Sequence, residues 1–334
     1  VSKLPDDFEE IYKKGEKAIQ TWLKKKADKG EKIEVIDNPI STEKVVVSIK
    51  AGMCVDELFG EGLPDGKTIL MYGEYASGKT QTVFKYVSQA TGVVIYIDSE
   101  DTFSGARLKQ ICESTGKDWQ DLDSRIILIK PKDWMEQVAC IFDLPSPIDL
   151  EKEGKKKVSL IVVDSLMKLF GENTDFQGRE HLQGRQGFIK TFLHKLKILA
   201  RDIYHCPVMV TTQVYDDVSG MTYPEGKWVC QKPMGGHALL HFPDFTVFFR
   251  KAAGNARIAR LMDNSSKPLA ERGFLITEKG IENIPPSSAI AKKIEEKEKR
   301  FEKSQSQETL LPKKRKSDEE NSEGVLDATP EEET

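Results

Sequence analysis

The chain has 334 residues, 38% of them hydrophobic and 31% charged, with a formal net charge of -4. That suffices for one large α/β domain with appendages rather than two full domains. The balance excludes a whole-chain basic footprint, so nucleic-acid binding would need a local patch, and no apolar run reaches the length of a membrane span.

Residues 1–45 are rich in lysine and glutamate, with Phe8, Ile11, Tyr12, Ile19, Trp22 and Leu23 spaced for one or two amphipathic helices. That is too little apolar surface for an independent domain. The start VSKLPDDFEE lacks the basic residues and apolar stretch of a signal peptide, so the expected location is inside the cell. Cysteines 54, 112, 140, 206 and 230 are odd in number and scattered, without a C-x-x-C pair. Reduced thiols are expected, not a zinc site or a disulfide framework.

Val45 to Ile49 alternates like a strand, and Met53 to Gly62 reads as a short helix ending in glycines. The apolar run Thr68 to Tyr72 predicts a buried strand, and the spacing of Val83, Phe84 and Val87 predicts a helix from Thr80 onward. Between them, Gly73-Glu74-Tyr75-Ala76-Ser77-Gly78-Lys79-Thr80 fits G-x-x-x-x-G-K-[ST], a phosphate-binding loop in its proper strand and helix context. Gly78 permits the tight turn that aims successive amide groups at one anion. Lys79 would neutralise the phosphates, and the Thr80 hydroxyl would help hold Mg²⁺.

Val93 to Ile97 is a second buried strand, closing on Asp98-Ser99-Glu100-Asp101; Ile126 to Ile129 is a third, followed by a helix around Trp134 to Phe142. Ser159-Leu160-Ile161-Val162-Val163-Asp164 ends an apolar strand in a carboxylate placed to hold the magnesium's water shell. Glu100, at another strand end, is a candidate base for the water that attacks a γ-phosphate, against the plain reading of a solvated loop acid. Phe170 to Gln186, with Arg179 and Arg185, reads as a mobile loop before a long helix Gly187 to Tyr204. After the strand Val208 to Thr212 comes Gln213 and a second long loop, Val214 to Lys232, with Tyr215, Lys227 and Trp228. Glycine hinges, cations and aromatics suit a single-stranded nucleic acid, against an exposed loop with incidental charge.

Phe245 to Phe249, Arg257 to Met262 and Gly273 to Ile276 read as antiparallel additions to the sheet edge. From Pro285 the sequence turns charged, with the basic knot Pro312-Lys313-Lys314-Arg315-Lys316, similar to a nuclear-import signal, and an acidic end. This composition predicts disorder.

Taken in this order, the motifs resemble the RecA/RadA recombinase family, closest to its archaeal and eukaryotic branch, over roughly Lys50 to Ile281. GEYASGKTQ is similar to the family's phosphate loop, including Gln81; YIDSEDTF resembles the segment whose catalytic glutamate falls on Glu100; LIVVDS ends at the magnesium-side Asp164. FQGREHLQGRQ resembles a first DNA-binding loop, matching Arg179 and Arg185, and TTQV supplies the γ-phosphate-sensing Gln213 before a second loop bearing Tyr215 and Lys227. RIARLMDNSSKPLAERGFLITEKGI resembles the stretch that caps a neighbouring subunit's ATP, giving Asp263.

The resemblance implies an α/β fold: a P-loop NTPase core of RecA type over 46–284, with a mainly parallel central sheet, helices on both faces and antiparallel edge strands near the C-terminal end of the core. It implies ATP and Mg²⁺ as cofactors, Gly73 to Gln81 and Asp263 as ATP contacts, and Lys79, Glu100 and Gln213 as catalytic residues. The implied function is an ATP-dependent recombinase that binds single-stranded DNA, pairs it with double-stranded DNA and exchanges strands in DNA repair. The implied partners are further copies of the chain, in a filament or ring, and other recombination proteins, with no membrane, in the cytoplasm or nucleoid, or the nucleus if the source is eukaryotic.

The sequence also departs from the family. The segment 1–45 has no helix-hairpin-helix signature, and no aromatic before residue 60 has alanine three positions on, the plug that docks into a neighbouring subunit. Asp263-Asn264-Ser265 stands where Asp-Ser-Pro is usual, and Asp101 replaces a glycine after Glu100. The missing plug favours an alternative, a recombination mediator that binds ATP and DNA without long filaments. A third reading is a hexameric helicase-like or clock-like ATPase of the same fold, which the arginines and the Gln213 loop disfavour.

Overall fold

The computed structural model describes residues 47–172, 182–216, 231–236, 239, 241–262, 267–285, 288, 291, 292 and 296. The expectations for 1–45, Arg179, Lys227, Cys230, Asp263 and the tail beyond 296 fall outside the described residues.

The apolar runs become strands, most of them buried on both faces, while β5 at the sheet edge is partly exposed. Six of them lie parallel: β3 (Thr68–Gly73), β4 (Val93–Asp98), β5 (Ile126–Ile129), β6 (Val158–Asp164), β7 (Val208–Thr212) and β10 (Phe245–Lys251). With β11 (Ala256–Leu261), β12 (Ala270–Thr277) and β13 (Gly280–Asn283) they form a nine-stranded sheet of order β13-β12-β11-β10-β3-β7-β6-β4-β5. One expectation is corrected here. Phe245 to Phe249 pairs parallel with β3, Phe248 opposite Tyr72, so the antiparallel extension begins only at β11. The reason is topological: the chain crosses over the sheet before β10 and turns directly back into β11.

Side chains alternate between two cores, as the period of a strand requires. Ile69, Met71, Val94, Tyr96, Leu160, Val162 and Met209 face the helices α1 (Lys79–Gln89), α2 (Gly105–Ser114) and α3 (Trp119–Asp123). Leu70, Ile95, Ile97, Ile161, Val163 and Val210 face α4 (Trp134–Cys140), α5 (Pro147–Lys152), α6 (Lys168–Glu172) and α7 (Leu182–Ile198), which continues as a π-helix, Leu199–Tyr204. A short β1 (Val47–Ile49) pairs with β2 (Leu63–Pro64), and the expected helix in 53–62 is a 3₁₀ turn, Cys54–Leu58.

Helix starts differ in a way that bears on function. Ser104, Asp118, Asp133 and Ser146 each accept a backbone N–H at the start of α2, α3, α4 and α5. By contrast α1 opens on Gly78, in the left-handed region at φ 101, with no side-chain cap. Its first amide groups are left for another acceptor.

The two expected loops are partly ordered elements. The helix α7 starts at Leu182, so Arg185 lies in its first turn rather than in a loop, and Phe170 is buried within α6. The second loop opens and closes as a hairpin of β8 (Val214–Asp216) and β9 (Gln231–Pro233), with Tyr215 opposite Lys232.

Candidate functional site

Parallel strands bring their carboxyl ends to one crevice. Four of these ends, Gly73 of β3, Asp98 of β4, Asp164 of β6 and Thr212 of β7, carry or adjoin the residues read from the sequence.

The phosphate loop is shaped by close backbone contacts. A Cβ on Gly73 would lie 2.2 Å from the Phe249 carbonyl oxygen, so β3 meets β10 at a distance that only glycine allows. Ala76 and Gly78 both adopt positive φ, 59° and 101°. The Arg257 guanidinium of β11 donates to the Ala76 carbonyl at 3.0 Å and holds the loop from outside. Lys79 Nζ donates to the carbonyls of Gly73 (2.9 Å) and Glu74 (3.0 Å), which folds its charge over the loop. Burial holds the Lys79 ammonium pKa below its usual value, Asp164 and Glu100 oppose that shift, and Lys251 adds to it. Tyr75 is exposed, whereas Ser77 is buried and its Oγ has no partner. An orphaned buried hydroxyl beside an uncapped helix start and a lysine is a cradle for an anion.

Asp164 is the best-fastened carboxylate of the site. Its Oδ2 accepts from Thr80 Oγ1 and from Tyr96 Oη, both at 2.9 Å, and its Oδ1 accepts from Thr211 Oγ1. Burial raises its pKa, while the three hydroxyl donors pull it down. The Tyr96 phenol is pushed well above its ordinary pKa by burial and by Asp164. Thr80 and Asp164 thus present adjacent hard oxygens, the donor type that suits Mg²⁺.

Glu100 faces the same crevice. Asp98 accepts from the backbone N–H of Thr102 (3.1 Å) and Phe103 (3.0 Å), bending the chain after β4 so that Glu100 Oε1 meets Ser165 Oγ. Gln213 Nε2 stands 3.5 Å from the same oxygen, at the outer limit of a hydrogen bond. Gln81 points elsewhere, accepting from Arg107 Nε at 2.9 Å, and Arg107 also donates to the carbonyls of Thr277 and Glu278. Gln81 therefore braces α1 against α2 and the β12–β13 turn.

Of the DNA candidates, Arg185 and Tyr215 fall within the described residues. Tyr215 is exposed on β8, and Arg185 is half-buried in the first turn of α7 with its Nε unpartnered. Next to it, Gln186 Nε2 donates to the Gly235 carbonyl at 2.9 Å, joining α7 to the turn after β9. The hairpin is bolted to β7: Met234 N donates to the Gln213 carbonyl at 2.8 Å and Thr212 Oγ1 to the Met234 carbonyl at 3.0 Å.

Sequence reasoning missed Tyr96, Thr211, Ser165, Arg257 and Gln231. The first two are polar residues inside otherwise apolar strand runs, a signal that was present. Arg257 and Gln231 carry none, because only the sheet order brings Arg257, and the β8–β9 hairpin Gln231, near the loop.

Comparison with known proteins follows this geometry. The Rad51 family profile matches residues 42–284. The chain is similar to a DNA repair and recombination protein RadA of Aeropyrum pernix, 32% identical over 237 residues, covering 68% of this chain and 70% of that protein. It is similar also to a protein of the same name from Metallosphaera sedula, 31% identical over 258 residues and 75% of each chain.

Proposed function

This chain belongs to the Rad51 family, within the RecA/RadA recombinases, and is a RadA-type DNA recombinase; from that premise we propose that it hydrolyses ATP in a DNA-dependent way. The observation that carries the reading is the convergence of Lys79, Thr80, Asp164, Glu100 and Gln213 around the orphaned Ser77 hydroxyl and the uncapped start of α1.

Each residue has a task that follows from its position. The amides of the loop and α1, with Ser77 Oγ, bind the phosphates. Lys79 leaves its carbonyl partners and sets its charge against the terminal ones. Thr80 and Asp164 would hold Mg²⁺, which would supply positive charge to a bound phosphate chain. Glu100, oriented by Ser165, positions the attacking water and takes its proton. Gln213 sits between that carboxylate and the second DNA loop. We assign Arg185 and Tyr215, with Arg179 and Lys227, to single-stranded DNA, and Asp263 to the ATP of a neighbouring copy in a homo-oligomer. The place of action is wherever the cell keeps its DNA.

The test is steady-state hydrolysis with and without single-stranded DNA. Lys79→Ala should abolish turnover and greatly weaken nucleotide binding. Glu100→Gln should keep nucleotide binding and lower turnover by about a hundredfold or more. Full turnover in either variant would overturn the corresponding assignment.

A further inference from the structure

The phosphate loop turns at a residue that is costly to hold there. Ser77 N donates to the Glu74 carbonyl at 3.2 Å, closing a β-turn whose third residue, Ala76, lies at φ 59°. A positive φ at that position favours glycine, so an alanine held there needs support from outside the turn. Ser77 and Gly78 come next in the chain. The torsion at Ala76 therefore helps to aim the orphaned Ser77 hydroxyl and the uncapped start of α1.

The support comes from Arg257, near the start of β11. Its Nε donates to the Ala76 carbonyl at 3.0 Å, and its Nη1 donates to the carbonyls of Gly254 (3.0 Å) and Ala256 (2.8 Å) where β10 turns into β11. The stem of the side chain lies against the loop as well: a Cβ on Gly78 would be 3.4 Å from Arg257 Cγ and 3.1 Å from the Phe274 ring. Among the described residues the guanidinium bonds to carbonyls alone, so its donors are committed to backbone geometry rather than to an ion pair.

We infer that Arg257 is a positioning residue for nucleotide binding: its fork ties the left-handed turn at Ala76 to the β10–β11 turn and holds the loop in the shape that receives phosphate. The inference rests on the reading of this loop as the ATP site. The bonds of Arg257 go to the loop and the strand turn, not to Thr80, Asp164, Glu100 or Gln213. Its loss should therefore remove binding shared by the ground and transition states, which raises KM and spares kcat.

The experiment measures the affinity of the full chain for a fluorescent ATP analogue with Mg²⁺, and kcat and KM for ATP with single-stranded DNA present. Arg257→Met keeps an apolar stem and removes every donor. It should weaken analogue binding about tenfold or more and raise KM in step, with kcat within about threefold of native. Adding Ala76→Gly should recover about fivefold or more in affinity, because glycine adopts the left-handed turn unaided. A purely structural role for Arg257 would not be rescued by a change in the loop. Arg257→Lys keeps the charge but cannot span both sets of carbonyls, so it should lose about threefold or more, and it keeps the test open should Arg257→Met fold poorly. Native affinity in either Arg257 variant overturns the inference, as does a loss in Arg257→Met that falls on kcat or that Ala76→Gly fails to rescue. A native chain that binds no nucleotide refutes the proposed function itself.

Discussion

Glu100 and Asp101 are adjacent carboxylates with opposite fates. The turn imposed by Asp98 sends Glu100 inward to Ser165 and Gln213, whereas Asp101, at φ 53, is 82% exposed and pairs with Lys130. An exposed pair of this kind contributes little. Asp101→Asn should therefore leave ATP turnover within about twofold of native, in contrast to Glu100→Gln; a large loss in a turnover assay would show that the wrong carboxylate has been chosen. The thiols make a second prediction at this scale. Burial pushes Cys54 up to about 11 and Cys140 up to about 12, and raises Cys206 further. A raised thiol pKa leaves the thiolate scarce below it: at pH 8, about one Cys54 in a thousand is ionised. Iodoacetamide at pH 8 should leave these three cysteines unmodified in the native protein, with labelling of Cys54 rising as the pH approaches 11. Mass spectrometry of tryptic fragments reads this directly, and rapid labelling at pH 8 would contradict the burial.

Among the elements, the start of α1 differs from those of α2, α3, α4 and α5, each of which has a serine or aspartate cap where α1 has none. The strands around it tolerate little change in spacing. At the entrance to β4, a Cβ on Gly92 would sit 2.1 Å from the Lys157 carbonyl oxygen, the acceptor for Val93 N at the start of the β4–β6 pairing. Gly92→Ala must push the two strands apart, costing about 1–3 kcal/mol, the usual penalty of overpacking. Urea unfolding should show a lower midpoint with an unchanged slope. A midpoint equal to the native one would mean that this close approach is absent.

For the whole molecule, charge is unevenly distributed: residues 318–334 hold eight carboxylates and no base. Tethered to the core, they are expected to compete at high local concentration for the candidate DNA-binding cations, and salt should screen them. Ending the chain after Lys316 keeps the basic knot and removes the acids. That variant should bind single-stranded DNA about threefold or more tightly at roughly 10 mM salt, where the screening length is near 30 Å, with the difference closing at high salt. Equal binding at low salt would show that these acids do not compete. Among the described residues no helix is long and apolar enough to cross a membrane, and no cluster of three or more His, Cys, Asp or Glu side chains suits a metal ion.

Local signals in the chain were sufficient to locate the G-x-x-x-x-G-K-[ST] turn between strand and helix, the strands β3, β4, β5, β6 and β7, and the position of Asp164 at a strand end, whereas Glu100 was singled out from its neighbours by the family resemblance. A glycine-rich turn between an apolar run and a helical period, or an acid closing a buried strand, has a physical meaning that needs no partner. Tertiary structure decided which strands are neighbours. The parallel pairing of β10 with β3 carries Arg257, on the adjoining β11, to the phosphate loop, and the hairpin of β8 and β9 brings Gln231 to Glu74 across 157 positions. It also turned Arg185 into a helical residue and separated Glu100 from Asp101. None of these has a local signature, because each depends on contacts between segments far apart in the chain, and periodicity constrains only the face a residue occupies, not what that face will meet.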